Sequence, residues 1–450
     1  MKSLEGGPWQ APLPGSSLDM NAVPHDPIRF DAGLRRWAEG LFDRLREISF
    51  DGVGISRATY GTGETEAMRL IAEAASGEGL EVAYDAAANL VITLPGAAAD
   101  RPVAATGSHL DSVPQGGNYD GAAGVIAALT GLVHLKRHRI VPDRTLRVYA
   151  LRGEESAWFG KCYLGSMSLF GKFDPADLEL TQSGSGETLA ACMAAAGADV
   201  ERIRRGEPIV DPRDIACFVE LHIEQGPVMV ARNIPVGIVT GIRGNVRHPR
   251  AVCRGEAAHS GAVPRWLRHD AVFAASEFVM RLDRHWEALL EQGQDLVVTI
   301  GVLGTNPAEH AMSRVPGEVR FSLEYRSQSP DVLAGFGELV QEEGAAIGRS
   351  RGVTFDFGPD VPTAPAVMDE RLVAHLDAVC DRLEIPHERL PSGAGHDAAI
   401  FANEGVPTVM IFIRNEHGSH NPAEAMAFDD FFLGAEVLIN GLLTVTEPEP

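Results

Sequence analysis

Cysteine, cationic residues and long apolar runs are all scarce in this sequence, and each shortage excludes a class of protein. Five cysteines occur in 450 residues, Cys162, Cys192, Cys217, Cys253 and Cys380. They are odd in number and scattered, with no CxxC pair, so no disulfide framework is encoded and a reducing cytoplasm is the expected setting. Lysine plus arginine number 39 against 62 aspartate plus glutamate, a formal net charge of −23. That sign opposes binding to phosphate backbones or anionic membranes, so neither nucleic acid nor membrane is expected as a partner. The longest uncharged stretch, around residues 121–135, is shorter than the roughly 20 residues that span a bilayer, and no signal-peptide pattern opens the chain.

What is present describes a soluble globule: 45% hydrophobic and 22% charged residues, close to the average for folded domains. At about 150 residues per domain, the length predicts two or three domains. Residues 1–28, rich in Pro, Gly and Ser, read as a loose arm. Helical periodicity over 30–75 gives way to strand-like runs at 80–93, 102–108, 145–151 and 215–222, with a helix over 121–137. Strands alternating with helices imply a mostly parallel α/β sheet, whose chemistry gathers beyond the carboxyl ends of the strands. Near Gly241 the style changes. Runs at 250–254, 296–301 and 319–324 alternate like antiparallel strands around helices at 266–290 and 330–349, which predicts an inserted α+β domain over 241–361. Residues 359–365 read as a linker. The outer segments, 29–240 and 362–450, then build one catalytic domain.

The strand ends carry the chemistry. GSHLDSV places His109 and Asp111 two apart, on one face of an extended chain. GGNYDG follows with Asp120 just before a helix, where an N-cap role is the ordinary explanation. The next strand ends in Glu154 and Glu155, adjacent carboxylates that repel unless a cation or proton intervenes. ELHIEQG offers His222, Glu224 and Gln225, and HGSHNPAE offers His417 and His420. Singly these are weak signals. Four strand ends of one sheet each presenting His, Asp or Glu are together a strong one. Imidazole and oxygen ligands without cysteine suit a pair of divalent ions, zinc, manganese, cobalt or nickel, that activates water. A non-ligating Glu154 is then the natural general acid/base for attack on a carbonyl. His134 and His138, four apart, read as a solvated helix face.

From residue 30 to 443 the sequence resembles the hydantoinase/carbamoylase amidases within the dimetal aminoacylase and carboxypeptidase clan. The resemblance rests on GSHLDSV, GGNYDG, the Glu154–Glu155 pair, ELHIEQGP, AAHSG, VPGEV with Arg326, SGAGHDA and GSHNPAE. It implies that His109 and His222 hold one metal, Glu155 and His420 the other, and that Asp120 bridges them while Asp111 braces His109. It also implies a ferredoxin-like inserted domain that serves as lid and dimerisation region in a homodimer. Arg326 would pair with the carboxylate of a small substrate, Gln225, His259 and the Gly395 region would contact the amide or ureido group, and His259 would help polarise the carbonyl oxygen from a neighbouring subunit. His396 and His417 lie near the site as groups that either back a ligand or touch the substrate, and neither is needed as a ligand. The implied reaction is hydrolysis of a linear C–N bond, of an N-carbamoyl-L-amino acid first, of allantoate-type ureides or N-acyl amino acids as alternatives. A non-catalytic binding protein of the same fold is the rival from another class, and the presence of Glu154 argues against it. Ser313 stands where the pattern usually has Asn. Trp158 and Arg265 likewise depart from it, so the substrate shell is altered while the metal residues are intact.

Overall fold

A computed structural model describes residues 26–445. Short β-branched runs between amphipathic helices build a nine-stranded sheet in the order Glu81–Tyr84, Leu90–Leu94, Leu146–Leu151, Val103–His109, Ile215–Ile223, Thr408–Ile413, Val236–Ile242 and Ala366–Val367, with His387–Ser392 also paired to Val236–Ile242. Its middle is parallel, as Val103–His109 pairs with both Leu146–Leu151 and Ile215–Ile223, and Ile215–Ile223 with Thr408–Ile413. Toward both edges it turns antiparallel. Every residue of Val103–His109 is buried, the state of a strand covered on both faces. Helix Ala122–His138 is buried from Ala122 to Leu135 and packs between the sheet and helix Phe428–Thr444.

The expected arm ends earlier than residue 28. Ile28 is buried, donating its N–H to Asn440 Oδ1 (3.0 Å) and accepting from Asn440 Nδ2 (3.1 Å); residues 1–25 of the arm lie outside the described residues. The buried Phe30 ring beside it packs on His134, 5.6 Å between centroids. That contact corrects the reading of His134 as solvated: it is 7% exposed and stacks on His138.

A second core, confined to residues between Ala251 and Phe357, belongs to a smaller unit. Its six-stranded sheet pairs antiparallel throughout, with Gly244–Arg254 and Glu318–Ser327 as the long central strands. Two helices, Ala271–Glu291 and Pro330–Arg351, pack against it. The first begins later than its apolar pattern suggested because Asp270 caps it through the N–H groups of Val272 and Phe273, leaving Arg265–Leu267 as a separate 3-10 turn. Residues 359–365 are not only linker, since Val361–Thr363 joins the small sheet. Arg326 Nη1 donates to Gly393 O (2.9 Å), linking the small unit to the loop after His387–Ser392 of the large one, and Arg243, at the crossing, bonds to Asp295 (2.6 Å).

Candidate active site

The parallel middle of the large sheet delivers His109 and His222 from neighbouring strand ends. Gly121 lets the chain pass close by: its φ is +64°, and a side chain there would meet the His109 ring at 2.6 Å. Each imidazole is oriented through Nδ1. His109 Nδ1 lies 3.2 Å from Asp111 Oδ1, and His222 Nδ1 lies 2.9 Å from Ile223 O. In the neutral form with its proton on Nδ1, each ring would present the Nε2 lone pair to a cation in the place a second proton otherwise takes. The two Nε2 atoms are 3.5 Å apart, and Gly121 N–H points at that of His222 from 3.2 Å.

Asp120 faces both sides. Its Oδ1 lies 3.4 Å from His109 Nε2 and 3.1 Å from His222 Nε2. Its Oδ2 lies 3.5 Å from His420 Nε2, itself 3.2 Å from Glu155 Oε1. Two ligand groups therefore share one carboxylate: His109, Asp120 and His222, and Asp120, Glu155 and His420, each with its ligand atoms within 4.8 Å of one another. A test of fit is the buried Asp120 Oδ1, which accepts no hydrogen bond. A carboxylate oxygen facing two acceptor nitrogens is costly unless a cation sits among them. The donor set suits two divalent ions joined by a carboxylate.

Electrostatics follow the same geometry. Burial opposes charge on His109, but Asp111 and Asp120 outweigh it and raise its pKa well above the ordinary imidazole value. Asp120, despite burial, is held well below the usual carboxylate range by His109 and His222. Burial first, then the carboxylates of Glu155, Asp397 and Asp111, push Glu154 well above that range against the pull of His109. Glu154 Oε2 stands 3.9 Å from His109 Nε2 and belongs to neither ligand group. The site opens on the side of His420, whose side chain is 52% exposed.

Asp111 does more than brace His109. It accepts from the N–H groups of Glu154 and Glu155, both at 3.2 Å, and from the Thr59 hydroxyl at 2.5 Å, so one buried carboxylate ties three segments of the site. Glu424 plays the matching part for Asp120. It accepts from the N–H of Tyr119 (2.8 Å) and Asp120 (3.3 Å) and from Ser419 (2.9 Å). Glu220 receives Ser108 Oγ and Ala398 N–H, each at 2.8 Å. Sequence reasoning missed Glu424 and Glu220. Glu220 had a signal, being two residues before His222 and so on the same strand face.

Other expected residues are placed less simply. Gln225, at φ 62°, donates its Nε2 to Asp120 Oδ2 at 2.8 Å, so in this state it holds the shared carboxylate. His396 is 1% exposed, bonded to Ser392 Oγ at 2.9 Å, and packs edge-on against His222. The turn after Ser392 puts it behind the ligand ring, where burial keeps it neutral. Arg326 lies on the small unit, bonded to Glu324 (3.1 Å) and Gly393 O. His259 and Ser313 sit side by side on the small unit, both exposed, with Ser260 N–H donating to Ser313 O. Neither has a hydrogen bond to the ligand groups among the described residues. His417 is exposed, and Glu224 caps helix Val228–Arg232 through the N–H groups of Val228 and Met229. No helix among the described residues is long and apolar enough to cross a membrane.

The chain is similar to known proteins along most of its length. The chain is 33% identical over 386 residues to an allantoate amidohydrolase of Escherichia coli (strain K12), covering 86% of this chain and 91% of that protein. It is 32% identical over 416 residues to an N-carbamoyl-L-amino acid amidohydrolase of Geobacillus stearothermophilus, covering 91% and 99%. Among solved structures, a hydantoinase/carbamoylase family amidase from Burkholderia multivorans superposes with a TM-score of 0.79 at 27% identity over 91% of this chain and 97% of that one. Residues 105–443 match the peptidase family M20/M25/M40, and with the likeness to the amidases running the length of the fold, the chain is a hydrolase that belongs to that family.

Proposed function

We propose that this protein hydrolyses the linear C–N bond of an N-carbamoyl-L-amino acid, releasing the amino acid and a carbamate that breaks down to ammonia and carbon dioxide. The observation that carries the reading is Glu154, a buried carboxylate 3.9 Å from a ligand imidazole yet outside both ligand groups. A residue so placed has proton transfer as its natural work. His109, His222 and Asp120 would hold one divalent ion, and Glu155, His420 and Asp120 the other; such ions polarise a carbonyl and make water acidic. Glu154 takes the proton of the attacking water and returns it to the leaving nitrogen. Its raised pKa suits the second half of that exchange, and nearby cations favour the ionised form needed for the first. Asp111 keeps His109 in the tautomer that presents Nε2, and Arg326 offers a planar fork to the substrate carboxylate.

Recognition residues on the small unit support a homodimer in which His259 serves a neighbouring copy. Trp266, Phe273, Met280, Val302 and Leu303 leave that unit with exposed apolar side chains that a second copy would cover. Allantoate or another ureide is the second reading, favoured by the similarity to the allantoate amidohydrolase. The test is ammonia release from a panel of N-carbamoyl amino acids and ureides, by protein loaded with zinc, manganese or cobalt, beside Glu154→Gln. The variant should keep its metal and lose roughly 10²–10⁴-fold in kcat. Two bound metals with no ammonia from any carbamoyl compound would sink the carbamoyl reading.

A further inference from the structure

Tyr163 sits in a conformation that a bulky residue adopts only at a cost: its φ is 64° and ψ 30°, in the left-handed region. Three backbone hydrogen bonds hold it there. Its N–H donates to Glu154 O at 3.2 Å, and the next two N–H groups donate to Gly153 O and Arg152 O, both at 2.8 Å. Three residues on, Ser166 Oγ donates to Asp397 Oδ1 at 2.5 Å, tying the same segment to the loop that carries Gly395. The phenol itself reaches that loop. A methyl group on residue 395 would lie 1.7 Å from Tyr163 Oη, so the hydroxyl occupies the space that a side chain at 395 would claim. Tyr163 is half-buried, while Glu154, to which its backbone is bonded, is buried. Burial first, then Glu154, keep the phenol neutral by pushing its pKa well above the ordinary value.

A neutral hydroxyl can accept one hydrogen bond while donating another. Set against Gly395, on a segment whose backbone is bonded to that of Glu154, it is placed to meet a polar group at the reacting end of a substrate. A carbamoyl group differs from an acetyl group of nearly the same shape by an NH2 in place of CH3. The geometry points to Tyr163 as a specificity-determining residue, whose hydroxyl accepts from the terminal amino group of a carbamoyl substrate in the space that Gly395 leaves open. This rests on the reading of Glu154 as the acid/base of an amide hydrolysis. Removing a hydroxyl that pairs with a substrate NH2 costs discrimination between the two isosteres, about tenfold for one ordinary hydrogen bond.

The experiment compares kcat/KM for the N-carbamoyl and N-acetyl derivatives of one amino acid in the metal-loaded wild type, Tyr163→Phe and Gly395→Ala, with metal content and melting temperature measured on each. The ratio of carbamoyl to acetyl rates should fall about tenfold in Tyr163→Phe. Gly395→Ala should lower it as well, since the added methyl displaces the phenol. In Tyr163→Ala, adding Gly395→Ala should change the ratio no further. If Tyr163→Phe loses its fold, Gly395→Ala and the double variant carry the same comparison. An active wild type whose ratio is unmoved by any of these changes overturns the proposal alone. A wild type that releases ammonia from no N-carbamoyl amino acid of the panel overturns the carbamoyl reading and the proposal with it.

Discussion

Around Asp120 each polar group is gripped by a neighbour from a different segment, whereas His259 and Ser313 on the small unit stand exposed on a two-residue bridge. Asp111 and Glu424 are buried and saturated with backbone donors. Arg326 is shared between Glu324 and a carbonyl, with Glu324 also bonded to Arg247 at 2.7 Å. The large unit therefore presents its ligand atoms already oriented, and preorganisation of this kind is what a reacting centre needs. The small unit keeps Arg326 in an exchangeable pair, so on the proposed reading a substrate carboxylate would compete with Glu324 for it. On the proposed reading, the large unit would hold the reacting end of the substrate and the small unit its carboxylate.

The largest expected effect breaks the first half of this contrast. Asp120→Ala removes the carboxylate common to both ligand groups, so both ions should bind far more weakly and activity should fall by roughly 10³-fold or more. Metal analysis after dialysis checks it; retention of two tight ions would show that the groups do not depend on a shared ligand. Arg326→Ala addresses the other half. Loss of the planar fork should raise KM on the order of 100-fold, at unchanged metal content, and Arg326→Lys should recover only part because a point charge lacks the bidentate geometry. A matching loss of metal would mean that the two units are not separable in this way. Between these lies Asp111→Asn, which leaves the ligands in place but loosens the His109 tautomer and the Glu154–Glu155 turn. Metal affinity should weaken about 10- to 100-fold, measured by competition with a chelator dye.

The contrast also explains which features were legible in the sequence. Strand ends in a parallel sheet converge by topology, so His109, Asp120, Glu155, His222 and His420 reach one cluster from segments over 300 residues apart. Residue type and place on the strand already carried that information. The two-unit pattern was legible for a similar reason, as alternation of period two separates antiparallel strands from the continuous apolar runs of the central sheet. What stayed hidden depended on loops. Nothing in SGAGHDA says that the turn after Ser392 carries His396 behind His222, and nothing in HNPAE marks Glu424 as the acceptor for the Tyr119 and Asp120 N–H groups. Gln225 was seen as polar and near the site, but its direction toward Asp120 comes from a left-handed backbone that the side-chain pattern does not announce. His134 was misjudged because its basic neighbours Lys136 and Arg137 suggested solvent, while the cover over it comes from Phe30, outside the helix.

His134 supplies the smallest effect, and it separates the stability of the large unit from the occupancy of its site. Burial, then the stacked His138, lower its pKa to about 4, against a weak opposing pull from Asp31. The folded chain thus holds this imidazole neutral where the unfolded chain, near 6.5, protonates it. Stability from this source is complete above about pH 6.5 and is lost as pH falls toward 4, because the unfolded state binds the extra proton. The total is at most about 3 kcal/mol across that window. Acid also strips metal from the ligands, so wild type and His134→Leu must be compared at each pH in chelator, where the metal contribution is absent from both. Urea midpoints should converge or cross between pH 7 and 4.5, with the variant losing less. Parallel pH profiles would show that His134 titrates alike in both states, and would leave the acid sensitivity of the large unit to its carboxylate and imidazole cluster alone.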